Sequence, residues 1–228
     1  MIIDGFEPVT LVNYPGQVAC IIFTRGCNFR CSYCQNGTLL TNNQDKGIIS
    51  EQTILEYLDK RKNVLDGICI SGGEPLLQKD IYIFIQKIKE RGLKVKLDTN
   101  GSNPKLLQKL IDDQLLDYVA MDIKNISAKY NKTINIKKFE FSLIKESINI
   151  LKNSNIEHEF RTTIVKGMHT IEDIKEICTY IGKKSPYYLQ NFVDSENVLE
   201  KGLQGFEIEE INNMVKQLGK GCKNIKIR

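Results

Sequence analysis

Short continuous apolar runs alternate along this chain with longer stretches whose apolar residues recur at helical spacing. Residues 17–24 are nearly all apolar, the mark of a strand buried on both faces. Residues 67–71, 93–97, 116–121, 156–165 and 187–192 read as strands in the same way. Between them, residues 50–62, 80–90, 104–112, 141–152, 171–182 and 206–218 predict helices. Ser50 stands where an N-cap belongs, and Ile54, Leu55 and Leu58 share one face. Arg91 and Gly92 end the second helix. Pro104 sits in the first turn of the third. Residues 2–16 read as a lead-in with a turn at Asn13-Tyr14-Pro15-Gly16. Residues 125–139 read as a polar insertion loop, and 223–228 as a candidate last strand.

Six strands alternating with helices imply parallel strands joined by right-handed crossovers. A closed eight-fold barrel takes about 250 residues, and the chain has 228. The expected fold is therefore α/β, an open partial (β/α)6 TIM-like barrel of parallel strands. A single domain is expected over 1–228, with its core at about 17–193 and a C-terminal helix and tail at about 194–228. No linker, internal repeat or low-complexity stretch divides it.

Composition changes this picture little. The chain is 41% hydrophobic and 26% charged, with a net charge of +4. Its lysines are scattered along helices, which argues against nucleic acid as a partner. No apolar run approaches the about 18 residues a membrane span needs. The first eight residues lack the charged-then-apolar pattern of a signal segment. A reducing cytoplasm is expected. Of seven cysteines, Cys20, Cys69 and Cys178 lie in apolar runs and read as small core residues. Cys222, in a polar tail, has no assignment.

The other three cysteines carry chemistry. Cys27, Cys31 and Cys34 follow directly on the first strand in a C-x3-C-x2-C spacing. Thiolates so close converge on one inorganic centre more readily than they form disulfides. An ordinary [4Fe–4S] cluster takes four cysteines. Three would leave one iron open, and an open metal position is where a centre does chemistry. The competing reading is a structural zinc site completed by His158, His169 or a distant cysteine. It lacks the second knuckle such sites show.

Each predicted strand ends in polar residues: Ser71-Gly72-Gly73-Glu74, Asp98-Thr99-Asn100-Gly101, and Asp122-Ile123-Lys124. Arg161 lies in the fifth strand, and Gln190 and Asn191 in the sixth. In barrels and open α/β sheets the site lies at the carboxyl ends of the strands. Gly72 and Gly73 offer backbone groups to an amino-acid moiety, and Glu74 a carboxylate to its ammonium. Asp98 and Asp122 suit ribose hydroxyls or a hard cation.

The cysteine loop with Gly72-Gly73-Glu74-Pro75, Asp98-Thr99-Asn100-Gly101 and Met121-Asp122-Ile123-Lys124 resembles the radical S-adenosylmethionine (SAM) activases of glycyl-radical enzymes. Val12-Asn13-Tyr14-Pro15-Gly16, the 161–167 segment and Tyr188-Leu189-Gln190-Asn191-Phe192 are most similar to the short activators of anaerobic ribonucleoside-triphosphate reductase. The resemblance covers about residues 9–193. It implies a [4Fe–4S] cluster on Cys27, Cys31 and Cys34, whose open iron chelates the methionine end of SAM. It further implies Tyr33 by the adenine, Gly72, Gly73 and Glu74 at the methionine moiety, and Lys124 at the SAM carboxylate or ribose. Asn100, Arg161 and Gln190 complete the implied cofactor-binding set with Asp98. Asp98, Thr99 and Asp122 match positions that bind a monovalent cation in the pyruvate formate-lyase activators. Those activators carry a histidine after strand six where this chain has Gln190-Asn191-Phe192, which argues against that target. The implied activity is reductive cleavage of SAM to a 5′-deoxyadenosyl radical that takes hydrogen from a glycine of the partner. The implied partners are the glycyl-radical enzyme and an electron donor such as flavodoxin or ferredoxin. The alternatives are a small-molecule radical SAM enzyme of the 7-carboxy-7-deazaguanine synthase type and a non-catalytic zinc-binding module.

Overall fold

The computed structural model describes residues 1–40 and 47–228. Its strands are β1 (Ile3–Thr10), β2 (Ala19–Thr24), β3 (Gly67–Gly72), β4 (Lys94–Thr99), β5 (Tyr118–Asp122), β6 (Glu157–Ile164), β7 (Tyr187–Asn191) and β8 (Ile225–Ile227). Its helices are α1 (Glu51–Arg61), α2 (Ile81–Lys89), α3 (Pro104–Asp112), α4 (Ser127–Thr133), α5 (Phe141–Asn153), α6 (Ile171–Ile181) and α7 (Ile208–Leu218). Strand order follows sequence order within β1–β4 and within β6–β8. The contacts group the chain into two compact units: residues 1–28, 38–99 and 105–120, and residues 29–37, 100–104 and 121–228.

In the first unit β2, β3 and β4 are parallel neighbours, with Ala19 opposite Gly67 and Ile70 opposite Leu97. Cys20, Ile22, Ile68, Cys69, Ile70, Val95 and Leu97 are fully buried, as continuous apolar strands must be. Burial pushes the Cys20 thiol up to about 12, so this cysteine is a core residue with no reactive thiolate. Ile54 and Leu58 of α1, and Ile81, Phe84, Ile85 and Ile88 of α2, bury one helix face each. The Ser50 side chain caps α1 by accepting from the Thr53 N–H at 3.0 Å.

The lead-in is not irregular: β1 pairs antiparallel with β2, Phe6 opposite Ile22. Gly5 and Pro8 hid it, because both are poor strand residues in an interior position. Pro8 falls where the β1–β2 register shifts, between Glu7 and Thr10, a place in an edge strand that tolerates proline.

In the second unit β6, β7 and β8 are parallel, with Phe160 opposite Tyr187 and Tyr187 opposite Ile225. The segment expected as a polar loop holds α4. Its Tyr130, with Ile134 at its C-cap, is fully buried. Tyr130 joins Phe29, Phe139, Phe141 and Tyr180 in an aromatic cluster with centroid separations of 4.9–6.1 Å. Tyr130, with Ile126 and Ile134 beside it, anchors a lysine- and asparagine-rich stretch that otherwise stays largely exposed.

Cys178 was expected as a core residue and Cys222 was unassigned. Both are buried, and they are joined in a disulfide linking α6 to the 219–222 turn. The pairing corrects the all-thiol expectation: a separation of 44 residues gave no sign of their proximity in space.

Candidate active site

The root of the cysteine loop lies in the first unit, where the Gly72-Gly73-Glu74 turn folds against it. The Gly73 N–H donates to the Thr24 carbonyl and the Glu74 N–H to the Gly26 carbonyl, both at 2.8 Å. A Cβ on Gly72 would lie 2.2 Å from the Thr24 nitrogen, and one on Gly73 only 2.0 Å from the Gly26 oxygen. Gly72 also has φ +121°, a conformation side chains resist. Both glycines are thus required for close backbone approach just ahead of Cys27.

Glu74 is fully buried. Its Oε1 accepts from the Thr99 hydroxyl at 2.8 Å and from the Leu76 N–H at 3.1 Å. Glu74 therefore ties the end of β3 to the end of β4. Asp98 is engaged on both oxygens. Oδ1 takes the ammonium of the buried Lys96, and Oδ2 accepts from the Ser71 hydroxyl at 3.1 Å.

The second unit brings Asp122, Lys124 and Arg161 together. Asp122 accepts from Arg161 Nε at 2.7 Å and from Lys124 Nζ at 3.0 Å. Burial alone would raise the Asp122 carboxyl, but these two cations outweigh it and hold it well below the usual carboxylate range. Burial likewise opposes the charge on Lys124, and Asp122 reverses that effect. The Cys31 sulfur lies near enough to act on both Lys124 and Tyr33. Tyr33 is buried, which raises its phenol, and its hydroxyl reaches the Lys124 carbonyl at 3.5 Å. So Cys31, Tyr33, Asp122, Lys124 and Arg161 form one neighbourhood. Asn100 is buried and accepts the Ser102 N–H at 2.9 Å. Gln190 lies half-buried in β7, opposite Thr163.

Sequence reasoning missed His169 as part of this neighbourhood. Its Nδ1 accepts from the Val165 N–H at 3.1 Å, which leaves the proton on Nε2 to donate to the Lys124 carbonyl at 2.9 Å. Its ring meets Tyr33 edge-on at 6.1 Å. Burial holds the imidazole below its ordinary pKa. Both ring nitrogens are thus engaged. His158, the other imidazole considered for zinc, bonds the Ser185 hydroxyl at 2.9 Å.

The donor set fits a three-cysteine cluster. Cys27, Cys31 and Cys34 form no disulfide, and a turn from the Cys34 N–H to the Cys31 carbonyl at 3.0 Å keeps two of them within one bend. Phe29 and Arg30, between Cys27 and Cys31, are anchored on the Tyr130 ring and the Ile134 carbonyl. The Tyr130 hydroxyl is buried, and Lys124 and Cys31 both act on it. Among the described residues no three His, Cys, Asp or Glu side chains are already gathered as a metal cage. The three thiols are kept local by the loop.

The fold and these polar strand ends are those of an α/β enzyme built around a cysteine loop. The family model of the radical SAM superfamily matches residues 21–181, and the chain belongs to that superfamily. The superfamily's cofactors are a [4Fe–4S] cluster and SAM. A Methanocaldococcus jannaschii protein provisionally named a glycyl-radical enzyme activating enzyme is 31% identical, over 97% of this chain and 92% of that protein. The pyruvate formate-lyase-activating enzyme of Clostridium pasteurianum is 33% identical, over 54% of this chain and 52% of its own length. A GTP 3′,8-cyclase of Helicobacter pylori is 28% identical over 95% of this chain and 66% of its own. These relatives make the chain a radical SAM enzyme of the activating kind. The crystal structure of Streptococcus suis SuiB bound to precursor peptide SuiA has a TM-score of 0.72 at 14% identity, over 91% of this chain and 48% of that one. That likeness shows the shared fold, α/β with parallel strands in an open sheet.

Proposed function

We propose that this protein activates a glycyl-radical enzyme, with anaerobic ribonucleoside-triphosphate reductase as its target. When bound and reduced, the cluster and SAM supply cleavage of the sulfonium S–C5′ bond, giving methionine and the radical that removes hydrogen from the partner's glycine. The rest falls to the chain's own residues. Cys27, Cys31 and Cys34 hold the cluster. Gly72 and Gly73 present backbone to the methionine moiety, and Glu74, through Thr99, fixes the turn that carries them. Lys124, with Arg161 behind the shared Asp122, meets carboxylate or ribose oxygens. Tyr33, Asn100 and Gln190 border the nucleoside. Asp98, Thr99 and Asp122 remain the candidates for a monovalent cation. Asp98 and Asp122 already carry protein cations in this structure, which supports a role in positioning. An electron donor of the flavodoxin or ferredoxin kind and a cytoplasmic location complete the reading. Among the described residues no helix is long and apolar enough to cross a membrane.

The observation that carries this reading is the cysteine loop: three cysteines outside any disulfide, of which Cys31 acts on Lys124 and so lies near its carboxylate partner. The direct experiment is anaerobic reconstitution with iron and sulfide, then dithionite and SAM, with 5′-deoxyadenosine quantified. Production that disappears in Cys31→Ala supports the reading. Zinc uptake without SAM cleavage in the parent protein overturns it. The long match to GTP 3′,8-cyclases favours a second reading, chemistry on a small molecule. The two separate by whether the reductase or GTP stimulates 5′-deoxyadenosine formation.

A further inference from the structure

The segment after β7 has no part in the reading above, yet it lies across the cysteine loop. The Glu200 N–H donates to the Ser32 carbonyl at 2.9 Å, and the Gly37 N–H to the Asn197 carbonyl at 3.1 Å. Gln35 Nε2 donates to the Val193 carbonyl at 3.0 Å. These bonds engage both ends and the middle of the 32–37 stretch. At Gly37 the approach leaves no room for a side chain: a Cβ there would lie 2.4 Å from the Asn197 oxygen and 3.0 Å from Leu199. The segment is seated by Val198, 5% exposed amid exposed neighbours. It is also closed at its base. Asn191 Nδ2 donates to the Phe206 carbonyl at 2.8 Å, and Asn191 Oδ1 accepts the Phe206 N–H at 2.9 Å. Gly205 has its Cβ position filled by the Phe192 oxygen, 2.2 Å away. Residues 192–206 are thus a compact loop with joined ends.

We propose that residues 193–200 are a positioning strap that holds Ser32–Gly37, and with it Cys31 and Cys34, in the form that receives the cluster. Gly37 is the position whose missing side chain lets the strap seat. The reason is energetic. A loop that must order three thiolates on loading loses backbone freedom at each residue it fixes. Hydrogen bonds made beforehand remove part of that cost from the loading step. The inference rests on the cluster reading for its purpose, and on the three hydrogen bonds for its mechanism.

The test uses the full chain, with Gly37→Ala, which pushes the strap off, and Gln35→Ala, which removes one bond from an exposed side chain. In metal-free protein, timed alkylation by iodoacetamide with peptide mass analysis reads the exposure of Cys31, 5% in the native fold. Gln35→Ala is expected to speed Cys31 alkylation about fivefold, the change in local opening that one lost hydrogen bond produces. Gly37→Ala is expected to speed it more. After reconstitution, both variants are expected to lose iron to a chelator faster than the parent protein. Arg228→Ala, which breaks the ion pair with Glu159 elsewhere in the same unit, should change neither. Unchanged Cys31 alkylation in Gln35→Ala overturns the strap, as does an equal rise in Arg228→Ala. Should Gly37→Ala fail to fold, Gln35→Ala decides alone. The alkylation arm needs no cluster, so failure of the parent protein to take up iron would sink the cluster reading and leave the strap's hold on the loop separately judged.

Discussion

Lys96 keeps its ammonium at 2% exposure in the middle of β4, against Asp98 and 3.8 Å from the Cys69 sulfur. The stem of a lysine does not announce such a place, and the sequence reading passed over it. Removing one partner of a buried pair strands the other's charge, at a cost of about 3–5 kcal/mol. Lys96→Met is therefore expected to lower the urea-unfolding free energy by that amount, and Lys96→Met with Asp98→Asn to recover most of it. His169 carries a second residue-scale expectation. Its folded pKa lies below its unfolded value of about 6.5. The unfolded chain then binds the extra proton first, so stability is full above about pH 6.5 and falls as pH drops below it. His169→Gln should flatten that slope between pH 7 and 5.5 in thermal melts. The cysteine triplet was legible as a pattern because its spacing stands out in the sequence alone. Lys96 and His169 were not, because burial belongs to the fold and leaves no local pattern.

At the scale of elements, every predicted strand and helix of the core is found, since continuous apolar runs and helical apolar spacing report burial directly. β1 and α4 escaped for opposite reasons. Gly5 and Pro8 disguise an edge strand, and Lys129, Asn131 and Lys132 surround the one buried tyrosine that holds α4 in place. α6 shows how local signals do suffice. Thr170 accepts from the Asp173 N–H and Asp173 returns a bond to the Thr170 N–H, a capping box. Asp173 also pairs with Lys129 at 2.6 Å, tying α6 to α4. Thr170→Ala is expected to cost about 1 kcal/mol in chemical denaturation. Asp173→Ala should cost more, because it removes the cap and the bond to α4 together.

At the scale of the whole molecule, the Cys178–Cys222 disulfide closes a loop of 44 residues around β7 and α7. Loop-closure entropy of that length is worth about 4 kcal/mol in the unfolded chain. Cys222→Ser should lower stability by up to that amount, and a thiol reductant should do the same to the parent protein only. The polar strand ends read in the sequence as candidates for chemistry because α/β sheets put their sites at the carboxyl ends of their strands. Their internal pairing left no such signal. Glu74 with Thr99, and Asp122 with Arg161, are contacts between residues 25 and 39 positions apart, and Asp122 adds its near neighbour Lys124.

Activation of a glycyl-radical partner is read by electron paramagnetic resonance. Reconstituted protein, SAM and a flavodoxin-type reductant are incubated anaerobically with anaerobic ribonucleoside-triphosphate reductase, and the glycyl radical on the reductase is counted by its spectrum. The account predicts a radical that requires SAM and Cys31 and rises in step with 5′-deoxyadenosine. Abundant 5′-deoxyadenosine with no radical on the reductase would contradict it.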